Sequence, residues 1–496
     1  MTVKFKKLPL FGEGIYAGNP TVTRERRLNC YYQVRKDKDR TAIAVLGTPG
    51  MLPQMSIPSA TLQAARGILG NKTQLFAVVA NQFLSLIGPV TQGAAASVVA
   101  TGSINSIAGP VSMALNPTQV CIVDGANGWI FTPSTGVFVQ ITSAGFPNGA
   151  TTVTACNGFF ICEAPGTNQF FVSNFNDGLT WNALSFAAAS QYNDNLVACD
   201  SLGGMLLPFS YSHLEFWQNS GLTTEPFTYI ANTATEYGLA APFSKIHCAD
   251  TIVFLTQTRE GGLQFARIKG YGVEVISTPD IDKILQGMTT TGDCEALSYQ
   301  TDDSKFAQFT FPSENRSFLY NATNSMWSET QTGITSRYAA RHIGRFSTTY
   351  QGKTLISDYN GPKLYRPDPA TFTDNGNTIV REVITRCALN DQNYFRCGAM
   401  FIDMEVGVGD SSPTSQAYNP QVMIQVARDS RDFGPEQWVS LGKKGQYKQR
   451  VTRRRCGRAR FMHTRIRMTD PAKFVISGGA AMVSSASAAA TRARGS

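Results

Sequence analysis

The chain has 496 residues and a net charge of +9, from 44 basic and 35 acidic side chains. That length allows two or three domains or one large repeat array. An apolar content of 42% excludes global disorder, and 44 Gly and 23 Pro without a strict period exclude a collagen-like fibre. Only 16% of residues are charged, and 30 Phe, 17 Tyr and 5 Trp favour strands over helices.

The opening, Met1-Thr2-Val3-Lys4-Phe5-Lys6-Lys7, has no apolar stretch after its lysines, so no secretory signal is predicted. No apolar run approaches the roughly 20 residues that span a bilayer. Residues 1–50 read as a basic and aromatic arm. Arg24, Arg26 and Arg27 precede Asn29-Cys30-Tyr31-Tyr32-Gln33, and Gly47-Thr48-Pro49-Gly50 is a turn signal. Either the arm is solvated, or its aromatic middle docks on another element or subunit. Two adjacent tyrosines favour docking, which makes Arg24, Arg26, Arg27, Tyr31 and Tyr32 the assembly-arm candidates.

Residues 51–372 carry paired short apolar strands joined by tight polar turns. Leu75–Val79 turns at Ala80-Asn81-Gln82, Val120–Val123 at Asp124–Gly128, and Phe159–Cys162 at Pro165–Asn168. Further pairs follow Met205, Ile252, Phe306 and Thr354. The turn centres step by roughly 40 to 55 residues, the length of a four-stranded propeller blade. The expected fold is all-β, with a six- or seven-bladed β-propeller closed in part by N-terminal sequence. The alternative, a set of β-sandwiches, lacks this longer period. Asn174-Phe175-Asn176-Asp177-Gly178-Leu179-Thr180-Trp181 resembles the Asp box of sialidase-type propellers, a hairpin turn with its Trp packed below. One short helix is expected at 281–285, after the capping signal Thr278-Pro279-Asp280.

Residues 373–477 change texture. Partial period-2 alternation at 378–384, 399–406, 421–426, 461–468 and 474–476 predicts a C-terminal β-sandwich. The Ala/Ser/Gly stretch 478–496 reads as a flexible tail.

Catalytic and metal chemistry is not legible. The histidines, His213, His247, His342 and His463, never pair at i, i+4, and no C-x-x-C occurs among ten Cys, which read as reduced core thiols. Gly352-Lys353-Thr354 ends like a phosphate-binding loop but has Ser347 where the first Gly belongs. No cofactor, metal or catalytic residue is assigned.

From Lys443 to Arg467 there are eleven basic residues and no acidic one: Lys443, Lys444, Lys448, Arg450, Arg453, Arg454, Arg455, Arg458, Arg460, Arg465 and Arg467. Strand alternation separates Arg453 and Arg455 from Arg454 and aligns Arg465 with Arg467. So dense a charge destabilises a fold unless an anion balances it. That anion is either phosphate or an acidic patch on a neighbouring subunit. Arginine's planar fork suits phosphate without reading sequence.

The stretch Glu236-Tyr237-Gly238-Leu239-Ala240-Ala241-Pro242-Phe243 to Leu255, then Ile276-Ser277-Thr278-Pro279-Asp280-Ile281-Asp282-Lys283-Ile284-Leu285, resembles the packaged-DNA stabilisation proteins of short-tailed bacteriophages. Arg453-Arg454-Arg455-Cys456-Gly457-Arg458-Ala459-Arg460 is similar to that family's Arg-rich strand, and Leu28-Asn29-Cys30-Tyr31 and Thr48-Pro49-Gly50 match its opening more loosely. The resemblance implies a non-enzymatic virion protein assembled in the host cytoplasm. It implies a tail hub or nozzle, a homo-oligomeric (hexameric) ring below the portal and its adaptor. Such a ring retains packaged double-stranded DNA through sequence-independent contact, continues the ejection channel and carries spikes or fibres. One rival is a carbohydrate-active propeller, sialidase- or lectin-like, drawing on Arg259, Arg316, Arg341 and Glu260. The other is a free DNA-binding protein that binds duplex as a monomer.

Overall fold

Short apolar strands and polar turns build an almost entirely β structure in a computed structural model. It describes residues 3–10, 12, 14–15, 25–37, 40–59, 61–222, 225–301, 303–333, 340–385, 388–389, 393–429 and 432–485. The chain divides into two compact units. One comprises residues 51–317 and 341–367, the other residues 1–50, 318–340 and 368–496.

The first of these is a β-propeller. Five four-stranded antiparallel meanders follow one another at 65–103, 112–140, 153–188, 196–229 and 245–275. A sixth sheet begins with Glu295–Gln300 and Lys305–Phe311. A seventh is formed by Gly344–Tyr350, Lys353–Asp358 and Lys363–Asp368, with Gly50–Ser56 added beyond them. The first strands of successive sheets lie side by side: Ala65–Gly70, Ser112–Leu115, Val153–Cys156, Leu196–Leu202, Lys245–Cys248, Glu295–Gln300 and Gly344–Tyr350. Between the fourth and fifth, Asp200 accepts from Lys245 at 2.9 Å and lies 3.1 Å from His247 Nε2. The seventh returns to the first, so seven blades close a ring.

Apolar layers between the blades hold them together, joined by side-chain hydrogen bonds such as Ser298 N–H to Ser347 Oγ. Phe76, Phe83, Trp129 and Phe131 fill the layer between blades one and two, with Phe83 5.0 Å from Phe131. Tyr350, Leu355 and Leu364 of blade seven pack with Leu75, Ala77 and Leu84 of blade one. Each such fully buried side chain contributes about 1.5–3 kcal/mol.

Local sequence explains the turns. Asn71 Oδ1 accepts from the Thr73 and Gln74 amides, and Asn116 Oδ1 accepts from Thr118 and Gln119. This repeated Asn-x-Thr-Gln hairpin is a signal of blade identity that the turn count alone did not use. The expected Asp-box-like turn lies between the last two strands of blade three. Asn176 takes a positive φ of 53°, and buried Trp181 donates Nε1–H to the Gly178 carbonyl at 2.7 Å. The predicted helix spans Pro279–Gln286 with Thr278 as N-cap and Ile281 and Leu285 buried, linking blades five and six.

His342 is buried before the inner strand of blade seven, its Nδ1 accepting from the Gly344 amide at 3.1 Å. Burial, with the Arg341 charge beside it, pulls it from 6.5 down to about 4. The unfolded chain therefore binds a proton that the folded one refuses. Stability is full above pH 6.5 and falls by roughly 3 kcal/mol as pH drops towards 4. Urea unfolding at pH 7 and pH 4 should show this loss in the wild type and a smaller one in His342→Gln; equal losses would assign the pH dependence elsewhere.

The second unit is a β-sandwich. One sheet runs Cys30–Asp37, Arg40–Gly47, Val475–Ser485, Phe395–Met404 and Val451–Ala459, with Val3–Lys7 paired to Val475–Ser485. The facing layer runs Met326–Thr330, Arg26–Leu28, Arg381–Ile384, Phe461–Met468, Gln421–Arg428 and Gln437–Ser440. Between them Cys30, Tyr32, Val45, Val383, Met400, Ile424, Ile466 and Ile476 are buried.

Two regions differ from expectation. Residues expected as an arm supply sandwich strands: Arg27 to Tyr32 are all buried, and Asn29, with φ 51°, turns the chain from one sheet into the other. The strand Val475–Ser485 continues past residue 478, where a flexible tail was expected. Its small residues serve close packing: a Cβ on Gly479 would lie 2.9 Å from the Phe401 carbonyl oxygen. Residues 486–496 lie outside the described residues. All nine described cysteines are buried and unbridged, and Cys387 lies outside that set. Among the described residues, no helix is long and apolar enough to cross a membrane.

Candidate functional site

The basic run divides into three environments. Lys443, Lys444, Lys448 and Arg450 occupy the exposed loop before Val451–Ala459, with Lys443 over the Tyr418 ring at 4.5 Å and Arg450 over Phe401 at 5.7 Å. Val451–Ala459 is the edge strand of its sheet. There Arg453 is half-buried and donates to Gln437 at 3.0 Å, while Arg454, Arg455 and Arg458 are exposed. Arg458 and the following Arg460 both stack on Tyr394, at 4.2 and 4.7 Å. Among the described residues, none of the eight exposed members (the four loop residues, Arg454, Arg455, Arg458 and Arg460) forms an ion pair.

Alternation fails at the centre of that strand. Arg455 has φ 56° and Gly457 φ 93°, and the pairing with Phe395–Met404 slips between Cys397 and Ala399. The bulge turns Arg454 and Arg455 both outward, correcting the expected separation. Gly457 suits that position because its φ lies in the left-handed region that favours glycine.

Arg465 and Arg467 do share one face, as alternation predicts, but they face their own chain. Arg467 Nε donates to Glu382 Oε2 at 2.8 Å, and Arg465 Nε lies 3.5 Å from the same oxygen. Arg26 NH1 reaches Glu382 Oε1 at 3.4 Å, and its Nε donates to Glu329 at 2.6 Å. Arg465 also donates to Gln425 and lies over the Phe433 ring at 3.9 Å. Glu382 is fully buried, so the balancing anion for these two arginines is internal. Glu382 was not singled out from sequence. The available signal was a lone carboxylate within the stretch 378–384, where strand alternation was expected.

The described assembly-arm candidates are also placed within their own sandwich. Arg26 is ion-paired, and Arg27 is buried with its guanidinium 4.0 Å from the Tyr32 ring centre. Tyr31 and Tyr32 are buried, and Tyr32 Oη donates to the Gly12 carbonyl at 3.0 Å. These four residues therefore do not form a free arm. Arg24 lies outside the described residues.

In the propeller, buried and half-buried polar groups lie on or just before the first strands of the blades. Glu295 accepts from Arg345 Nε at 2.9 Å and lies 3.5 Å from Arg341 NH2. Arg66 donates to the carbonyls of Ala80, Ser106 and Gly109. Burial opposes ionisation of Asp200, but Lys245 and His247 outweigh it and hold the carboxyl well below its usual range. In blade four, His213 lies 3.3 Å from both Ser210 Oγ and Asp194 Oδ2, an order resembling a hydrolase triad. Ser210 and His213 are buried, so the hydroxyl is closed to solvent here. Among the described residues, no group of three His, Cys, Asp or Glu could hold a metal ion.

Two family models match the chain. "Bacteriophage P22 Gp10, beta-propeller" covers residues 48–371, and "Bacteriophage P22 Gp10, beta-sandwich" covers residues 380–484. No curated protein sequence matches. Among solved structures, the N-terminal domain of Nup159 is 8% identical, with 68% of this chain and 97% of that one covered and a TM-score of 0.40. The computationally designed Ika8 protein is 7% identical, with coverages of 64% and 99% and a TM-score of 0.37. The extracellular domain of BT4673 from B. thetaiotaomicron, described as a putative hybrid two component system, is 8% identical, with coverages of 64% and 39% and a TM-score of 0.43. These likenesses are too distant to bear on function.

Proposed function

Because the chain belongs to the bacteriophage P22 Gp10 family through both its β-propeller and its β-sandwich, we propose that it works as a hub or nozzle in the tail of a short-tailed phage. In this reading it is a non-enzymatic virion protein, assembled in the host cytoplasm into a homo-oligomeric, hexameric ring. The ring joins the portal's adaptor, carries spikes or fibres, continues the ejection channel and helps retain packaged DNA.

The observation that carries the reading is the set of eight basic side chains that are exposed and without ion pairs among the described residues, on an edge strand, the loop before it and the residue after it. Like charges so close repel one another until an anionic surface covers them. An edge strand also presents unpaired backbone groups, and its arginines block indiscriminate pairing while accepting a partner of opposite charge. We favour a protein partner, an acidic surface on a neighbouring subunit or the adaptor, over direct lining of a DNA channel. A channel must let duplex slide, so contact there is weak and blind to sequence.

Changing Arg454, Arg455, Arg458 and Arg460 together to Gln separates the alternatives. Exposed substitutions of this kind shift stability by no more than about 0.5 kcal/mol each. Light scattering and negative-stain imaging, alone and with the adaptor, should show assembly lost in the variant. Intact assembly with leaking genome would instead assign the arginines to DNA, with log affinity falling by about 0.9 per phosphate contact per decade of salt. Normal assembly with normal genome retention would remove the cluster from both roles. The sialidase-like rival finds less support, since Arg341, one of its candidate arginines, is paired with Glu295.

A further inference from the structure

We infer that the pocket at the axial end of blades five, six and seven is a binding site for a neutral saccharide of one or two rings. The pocket has a volume of about 420 Å³, within the roughly 300–1,000 Å³ usual for small-molecule sites. Its walls are the ends of three inner strands and the hairpin after the first, Ala249-Asp250. Both hairpin residues have positive φ, 53° and 65°, so this wall is a tight two-residue turn.

The chemistry of the lining selects the ligand class. Every charge near the pocket has an opposite partner. Asp200 takes Lys245 and His247, and Lys305 Nζ lies 3.7 Å from Asp250. Among the described residues, no cluster of cations is left beside the pocket to hold phosphate and no group of His, Cys, Asp and Glu to hold a metal ion. Hydroxyl and amide groups remain. Thr349, Thr354 and Gln300 line the pocket, and their side chains make no hydrogen bond among the described residues. Ser347 Oγ accepts from the Ser298 amide at 2.9 Å and Thr348 Oγ1 from the Gly70 amide at 2.7 Å. Each of these hydroxyls keeps its proton to donate. Ile246 and Cys248 add apolar wall. Neutral donors and acceptors beside an apolar strip match a pyranose ring, whose hydroxyls both donate and accept around C–H faces.

The inference is independent of tail assembly and is tested on the full chain. Saturation-transfer NMR would use maltose and chitobiose as neutral probes, with sialyllactose and inorganic phosphate as charged ones. Saturation transfer to at least one neutral disaccharide is expected, weakened about tenfold in Thr349→Val/Thr354→Val through loss of two hydrogen bonds. Valine keeps shape and strand preference, and an unchanged melting temperature checks that the variant is folded; if it is not, Gln300→Ala replaces it with the same expectation. Absence of transfer to both neutral sugars, equal binding by the folded variant, or preference for phosphate or sialyllactose would each overturn the inference.

Discussion

Replacing Glu382 by glutamine is expected to destabilise the sandwich by about 3–5 kcal/mol, because it leaves buried cations without their shared anion. Arg26, Arg465 and Arg467 converge on this one carboxylate, and Arg26 also pairs with Glu329. Glutamine preserves volume and one acceptor oxygen, so the loss reports charge rather than packing. Urea unfolding of the full chain should show a lower midpoint that added salt does not restore, since buried pairs are screened little. Glu329→Gln is the internal comparison and should cost less, because Arg26 keeps Glu382. Equal midpoints for wild type and Glu382→Gln would mean that these arginines do not depend on it.

Ring closure predicts the second large effect. Tyr350 is fully buried where blade seven meets blade one, and its hydroxyl donates to the Gly88 carbonyl at 2.9 Å. Tyr350 Oη also accepts from the Gly88 amide at 3.2 Å. Tyr350→Phe removes the hydroxyl alone and should cost about 1 kcal/mol. Tyr350→Ala opens a cavity between the blades and should cost about 3–5 kcal/mol. Limited proteolysis should then cut between blades seven and one before cutting elsewhere in the propeller. An alanine variant as stable and as resistant as the phenylalanine one would show that closure does not rest on this layer.

The propeller was legible because its information is local. Each hairpin carries its own apolar runs and turn residues within some 15 positions, as at Leu75–Ile87, and the spacing between hairpins sets the blade repeat. The helix at Pro279–Gln286 was legible for the same reason. The sandwich was only partly legible, since its sheets join segments hundreds of positions apart: Arg26–Leu28 lies beside Arg381–Ile384, and Arg40–Gly47 beside Val475–Ser485. Basic and aromatic residues at the N-terminus read as an arm because the strands they pair with are distant in sequence. Gly478–Ser485 read as a tail because small residues signal freedom when considered alone and close packing when a backbone lies against them.

The arginine cluster divides along the same line. Sequence by itself determined that eleven cations lie within 25 positions without a carboxylate, that Arg465 and Arg467 share a face, and that the charge needs an anion. Only the tertiary structure decided which cations are already balanced. Glu382 is over 80 positions from Arg465 and Arg467, so local spacing could not pair them. The bulge at Arg455 likewise arises from pairing with a neighbouring strand, and it overrides the alternation that a single strand would keep. Charge density is a property of the chain, but its neutralisation depends on which segments the fold brings together.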